Sequence, residues 1–316
     1  MGAYLIRRLL IGIPVLIGVT LINFLIINLA PGSPADLYLS PTATSADVAR
    51  TEAELGLDQP IFVQYFHWLV RLFHGDLGVS FQNRAPVTEL LGERIGPTLL
   101  LMGTSLVVAY LIAIPIGILA ARKKNSPTDY SVVGAAFLGI SVPHFFLGLV
   151  LIYVFALELG WLPTGNMMTL GRGGGFVDRV NHLILPVAVL ATATAANMTR
   201  YVRSSMIDAF GQDYIRTAKA KGLGSLTITN KHALRNALIP VVTVVGVDLS
   251  ALIGGAIVTE QIFQWPGIGL LTIQSIGARD YAVLMGINLI AAVAVFGANL
   301  LTDIAYAVVD PRVAYA

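Results

Sequence analysis

Three acidic residues stand in the most apolar stretches of this 316-residue chain: Asp248, Glu260 and Asp303. A charged group in a bilayer is expensive, so it faces a cavity or a partner. Asp248 lies near the middle of its stretch, Glu260 near the outer end of the same stretch, and Asp303 in the inner half of the last one. Carboxylates so placed can relay protons or cations, or form the polar wall of a substrate pathway. They can also simply make an interhelical hydrogen bond. For Glu260 and Asp303, near the interfaces, the hydrogen bond is the expected role. For Asp248 both roles stand. His144 follows Pro143 in the segment GISVPHFFLG, where proline breaks the helix and glycines let neighbours approach. A lone histidine beside such a break is usually a packed, hydrogen-bonded side chain. If a polar translocation pathway runs through the bundle, Asp248, Glu260 and His144 are its candidate residues. The five histidines are too scattered for a metal cluster, and there is no cysteine for thiolate chemistry or disulfides. Nucleophile-elbow, zinc-protease and phosphate-loop motifs are all absent, so no catalytic residue is expected.

The longest polar stretch between two apolar segments is DYIRTAKAKGLGSLTITNKHALRNALIP, residues 213–240. It is basic and helix-forming on both sides of Gly222 and Gly224. Two short helices joined by a glycine turn, on one face of a bilayer, form a surface for a soluble partner. Any basic inner loop would satisfy the usual charge bias and bind anionic headgroups. That accounts for the charge of the stretch but not for an A-K-A-K-G turn between two helices.

Positioning these residues requires a membrane bundle. Hydrophobic residues make up 56% of the chain and charged residues only 12%, against about 25% in soluble domains. The mean hydropathy is +0.76. About 20 apolar residues cross a bilayer core. Six stretches qualify: 9–30, 98–121, 132–157, 183–199, 237–262 and 283–309. The chain is therefore all-α and polytopic, with six transmembrane helices; the alternating pattern of a membrane barrel is absent. Arg7 and Arg8 precede the first stretch, but its apolar run is too long for a signal peptide, so an uncleaved span is expected. With both termini in the cytoplasm, 13 of the 20 Lys and Arg residues fall on the inner side, as the positive-inside rule favours. In the long outer segment, Asp58 is placed to cap a helix with Pro60 in its first turn. Ile61, Phe62, Tyr65, Phe66, Leu69, Leu72 and Phe73 share one face, and Gly75 ends the helix. That helix is expected to lie on the membrane or on other spans, with a docking surface for an external protein as the alternative.

Over almost its whole length the chain resembles the integral-membrane permeases of ABC importers with the type I fold, in the dipeptide, oligopeptide and nickel branch. The family's inner loop carries E-A-A, three residues and Gly, then after nine residues I-x-L-P. Here it reads Arg216-Thr217-Ala218, then Gly222, then His232-Ala233-Leu234-Arg235. It departs at the Glu, at the second residue, at the Ile and at the Pro, in the manner of the peptide branch. LGLDQP (55–60), QYFHWL (64–69), GDLGVSF (75–81), FQWPGIGLL (263–271), RDY (279–281) and DPRV (310–313) match the same branch in order.

The resemblance implies a first span plus extracytoplasmic region (1–94) and a type I transmembrane domain (95–309) whose cytoplasmic loop 200–236 couples to an ATPase. The implied coupling residues are Arg216, Thr217, Ala218, Lys219, Lys221, Gly222, His232 and Arg235. It implies no catalysis and no metal or cofactor in this chain, with ATP and Mg bound by partner subunits. The implied function is the permease subunit of an ATP-driven peptide importer in the cytoplasmic (inner) membrane. Its implied partners are a second homologous permease, two ATPase subunits, an extracytoplasmic solute-binding protein, peptide substrate and the lipid bilayer, without nucleic acid. The rival readings are an ion-coupled secondary transporter using Asp248, and nickel or glutathione in place of peptide as cargo.

Overall fold

The computed structural model describes residues 2–29, 44–54, 56, 58–169, 171, 174–251 and 257–309. The terminal motif at 310–313 and parts of the outer segment and of the fifth stretch lie outside them. The described residues form helices: α1 (Gly2–Asn28), α2 (Ser45–Glu54), α3 (Ile61–Phe73), α4 (Val87–Arg122), α5 (Pro127–Ser141), α6 (His144–Leu151, running on as a π-helix through Ile152–Glu158), α7 (Phe176–Phe210), α8 (Asp213–Ala220), α9 (Ser225–Thr227, running on as a π-helix through Ile228–Ala233), α10 (Leu234–Ala251), α11 (Ile257–Ile262), α12 (Ile268–Gly277) and α13 (Tyr281–Val309). Val79 and Pro86 form an isolated antiparallel bridge.

The central pair is α4 and α7, which share the largest helix–helix contact. They have 36 and 35 residues, so each runs about 50 Å, longer than the bilayer core is thick. Ala109 and Ala113 of α4 meet Ala191, Ala195, Met198 and Val202 of α7 in the main buried cluster. Small residues there let the two backbones approach, which is how helices associate where lipid removes the hydrophobic drive. Large apolar side chains point outward instead, among them Leu111, Leu138, Leu149 and Leu301. α5 and α10 flank α7, and α13 packs on α10 and α1.

Among the described residues, three helices are long and apolar enough to cross a membrane: Val87–Arg122, Phe176–Phe210 and Tyr281–Ile304. The third expected span is broken at Pro143, where the sequence placed a break. Pro127–Ser141 and His144–Glu158 are separate helices bent by 96°, so together they make at most one broken span. Pro143 has no N–H to continue the ladder, and Val142 before it is extended at φ −80°, ψ 120°. Pro186 does the opposite: it sits buried inside α7 without ending it, so the fourth span runs well beyond 183–199 in both directions. Elements of the first and fifth stretches are α1 and α10. Leu10–Ile26 is the apolar part of α1.

In the long segment between the first and second stretches, α3 and Gly75 (φ +78°) match the expected helix and stop. Asp58 does not cap it. Pro60 occupies the N-cap, leaving Asp58 two residues upstream, and no side chain caps the first turn. Tyr65, Leu69 and Leu72 pack with buried Trp68 against Phe24 of α1 and Met285 of α13. Phe62, Phe66 and Phe73 are exposed. The helix therefore lies on other spans by one stripe and offers a second apolar stripe outward. α3, the 76–84 turn and the start of α13 line a cleft of about 940 Å³.

Candidate functional site

α8 is built to be exposed yet fixed. Gln212 precedes it in extended conformation, and Asp213 sits in its first turn. Ile215 and Ala218, three apart and so on one face, are buried in the main cluster with Met206 and Ala209 of α7. The helix stops in a Schellman turn: Gly222 at φ +75° donates to the Lys219 carbonyl at 2.9 Å, and Leu223 donates to the Ala218 carbonyl at 3.3 Å. Gly224 then starts α9. Ile228, Thr229 and Ala233 are buried behind it. Arg122 at the end of α4 reaches the Ser225 hydroxyl at 3.4 Å.

Of the eight residues the sequence pointed to, Arg216, Thr217, Lys219, Lys221, Gly222 and Arg235 are exposed, His232 is half-buried and Ala218 faces the core. Leu226 and Leu223 add apolar area beside the cations. Arg216 is ion-paired to Asp213 at 3.2 Å with both side chains in solvent, so that pair contributes little to stability. The result is a short, cationic surface anchored to the bundle by its buried face. It can dock a partner and transmit a displacement.

The intramembrane candidates do not converge. No hydrogen bond or ion pair joins Asp248, Glu260 and His144 among the described residues. Asp248 on α10 is half-buried and accepts a 2.6 Å hydrogen bond from the Tyr110 hydroxyl of α4. His144 is exposed in the first turn of α6, just after the proline break. Asp303 is bound by Arg8 of α1 at 2.8 Å, an interhelical pair.

Glu260 is fully buried and has a structural task. One oxygen accepts from the Thr98 hydroxyl at 2.9 Å and the other from the Leu270 N–H at 3.0 Å. Thr98 in turn accepts the Ile268 N–H at 2.8 Å. Together they satisfy the orphan donors at the start of α12. A Cβ on Gly267 would overlap Glu260 and Thr98, so glycine is needed there. Trp265 is fully buried and donates to the Pro97 carbonyl at 2.9 Å. The FQWPGIG segment thus seats α12 against α4.

Two networks were not singled out from the sequence. Buried Asp280 accepts from the Ser80 hydroxyl, which ties RDY to GDLGVSF across 200 residues of chain. Buried His182 bonds the Gly165 carbonyl at 2.7 Å, and Asp178 accepts from the Thr169 N–H at 2.8 Å and from its hydroxyl, so the 165–169 loop is pinned to α7. Buried polar residues must find partners, but which partners they find is a tertiary fact.

Two family models match the chain. "Binding-protein-dependent transport system inner membrane component" covers residues 113–315, and its membrane-component N-terminal companion covers residues 1–102. Among curated proteins, the chain is 46% identical over 316 residues to the oligopeptide transport system permease protein AppB of Bacillus subtilis (strain 168), covering all of both. It is 41% identical over 312 residues to the glutathione transport system permease protein GsiC of Salmonella typhimurium, covering 99% of each. It is 40% identical to the dipeptide transport system permease protein DppB of Escherichia coli (strain K12), covering 98% of each. Among solved structures, a chain of the MetNI methionine ABC transporter in inward-facing conformations aligns with a TM-score of 0.57 at 19% identity, over 70% of this chain and 96% of that one. At that identity the likeness carries the fold alone, the type I ABC importer transmembrane fold. Full-length identity and two family matches, added to the all-helical bundle, place this chain in the family of inner membrane components of binding-protein-dependent transport systems.

Proposed function

We propose that this chain is the translocation subunit of an ATP-driven peptide importer, and that α8 is the element that seats on an ATPase partner. The observation that carries this is α8 itself: cationic and exposed on one side, anchored by Ile215 and Ala218 on the other, and closed by a Schellman turn. A second homologous permease, two ATPase subunits holding ATP and Mg, and an extracytoplasmic binding protein complete the complex. Closure of the ATPases moves α8 as a lever, and the spans exchange between two accessible states that the ligands bias by differential binding. Both termini lie in the cytoplasm, from the distribution of Lys and Arg.

The names of the relatives favour peptides over nickel, with glutathione as a peptide-like cargo. Family membership sets aside the ion-coupled reading, and Asp248 is already engaged by Tyr110. The experiment is uptake of labelled peptide by vesicles holding the whole complex and its binding protein. Uptake is expected to survive collapse of the proton and sodium gradients, to stop when the ATPase loses its phosphate-loop lysine, and to keep its ATP dependence in Asp248→Asn. Uptake that vanishes with the gradients and persists without the ATPase would refute the proposal. Because the chain has no cysteine, orientation is checked separately with Ser126→Cys, Ser225→Cys and Asn83→Cys. Only the last is expected to react with an impermeant thiol reagent in intact cells.

A further inference from the structure

We infer that the Asp129–Arg203 pair is the link through which displacement of α8 reaches the broken α5–α6 unit, which makes both residues positioning residues for transport. The inference rests on the reading of α8 as the ATPase-docking element.

Asp129 is in the first turn of α5 and only 1% exposed. Both its oxygens are gripped by one guanidinium: Arg203 donates from Nε at 2.5 Å and from Nη2 at 2.6 Å. Oδ2 also accepts the Asn125 N–H at 3.0 Å. Asn125 has φ +62°, a left-handed conformation that asparagine tolerates and that the bond to Asp129 holds in place. Ser126 completes the turn by capping α5 through the Asp129 N–H. One carboxylate thus fixes the α4–α5 turn, the start of α5 and the side of α7.

Position decides what that grip does. Arg203 lies on α7 seven residues before Phe210, and α8 follows after Gly211 and Gln212. The flanking residues Val202, Met206 and Ala209 share one buried cluster with Ile215 and Ala218 of α8. The last turns of α7 and α8 therefore move together. On the other side of the pair, α5 leads directly to Val142, Pro143 and the 96° bend into α6. Close to Arg203, Arg200 lies over the Phe137 ring at 4.8 Å, an exposed α7–α5 contact, and farther along α5 Gly139 packs on Thr192 and Ala196. A planar two-pronged pair, buried on the carboxylate side and a quarter exposed on the guanidinium side, holds orientation as well as distance. A point charge such as lysine keeps the attraction and gives up the orientation. A pair that only stapled the fold would need no such orientation, and its position between the partner-facing helix and the broken span would have no consequence for transport.

The test uses the complete complex in proteoliposomes with its binding protein and labelled peptide. It compares wild type with Arg203→Lys and Asp129→Asn for retention of the ATPase subunits, ATP hydrolysis rate and peptide taken up per ATP. For Arg203→Lys we expect normal retention, hydrolysis within about twofold, and uptake per ATP lower by about tenfold, the size of a typical coupling between sites. Asp129→Asn is expected to fall at least as far. An unchanged uptake-to-ATP ratio in Arg203→Lys would overturn the inference, and so would loss of assembly in that variant, since either outcome makes the pair a staple of the fold. Wild-type complex that takes up no peptide with ATP present would instead be a failure of the proposed function.

Discussion

The two ends of the bundle use polar residues in opposite ways. At the end where α4 starts, away from α8, Glu260, Thr98, Asp280 and Ser80 are buried, and all bond to one another or to helix-start N–H groups. At the α8 end, Arg216, Lys219 and Lys221 stand in solvent while apolar Ile215 and Ala218 do the holding. Polar groups turned inward set where α12 and α13 begin; polar groups turned outward leave a surface unspent by the fold. A buried network is costly to break because its surviving members lose their partners. An exposed cation contributes little to the chain that carries it and is free to serve a partner.

The comparison breaks most visibly at Glu260. Glu260→Ala strands the Thr98 hydroxyl and the Leu270 N–H in a buried site, and about 3 kcal/mol of stability should be lost. Thermal unfolding of the detergent-purified complex measures it. A melting temperature equal to wild type would mean that the Glu260–Thr98 network is not what seats α12. Gly222 is an intermediate case. Beyond its own chain neighbours nothing lies within 4 Å of where its Cβ would be, so the obstacle to substitution is the backbone alone. Gly222→Val should cost about 1–2 kcal/mol locally and sharply reduce ATPase retention, whereas Gly222→Asn, which tolerates φ +75°, should keep it. Equal behaviour of the two variants in a pull-down would remove the Schellman turn from the account. The smallest effect on stability is expected at the cations: Lys219→Glu with Lys221→Glu should shift unfolding by less than about 0.5 kcal/mol while weakening ATPase binding in a salt-dependent way.

The same contrast explains what could be read from the chain. The α8 surface was legible because its signals are local: charge, a helical pattern and Gly222 where a left-handed residue is needed. α3 was legible for the same reason, although its cap was assigned to Asp58 two residues too early. The 96° break was visible as Pro143, but its angle depends on how α6 packs against α7 and α11. A hydrogen bond was expected of Glu260, but its partners were hidden because Thr98 lies 162 residues away and α12 falls between the fifth and sixth stretches. The Arg203–Asp129 grip was equally invisible, since each residue alone looks like ordinary inner-face charge.

The central claim is that α8 faces an ATPase subunit. In this cysteine-free chain, single cysteines at Lys219, Leu223 and Asn83 can be treated with a short bifunctional thiol reagent in the assembled complex. The account predicts that Lys219→Cys and Leu223→Cys cross-link to the ATPase subunit, to an extent that changes with bound ATP, and that Asn83→Cys does not. An assembled, active complex in which neither α8 position cross-links to the ATPase would contradict it.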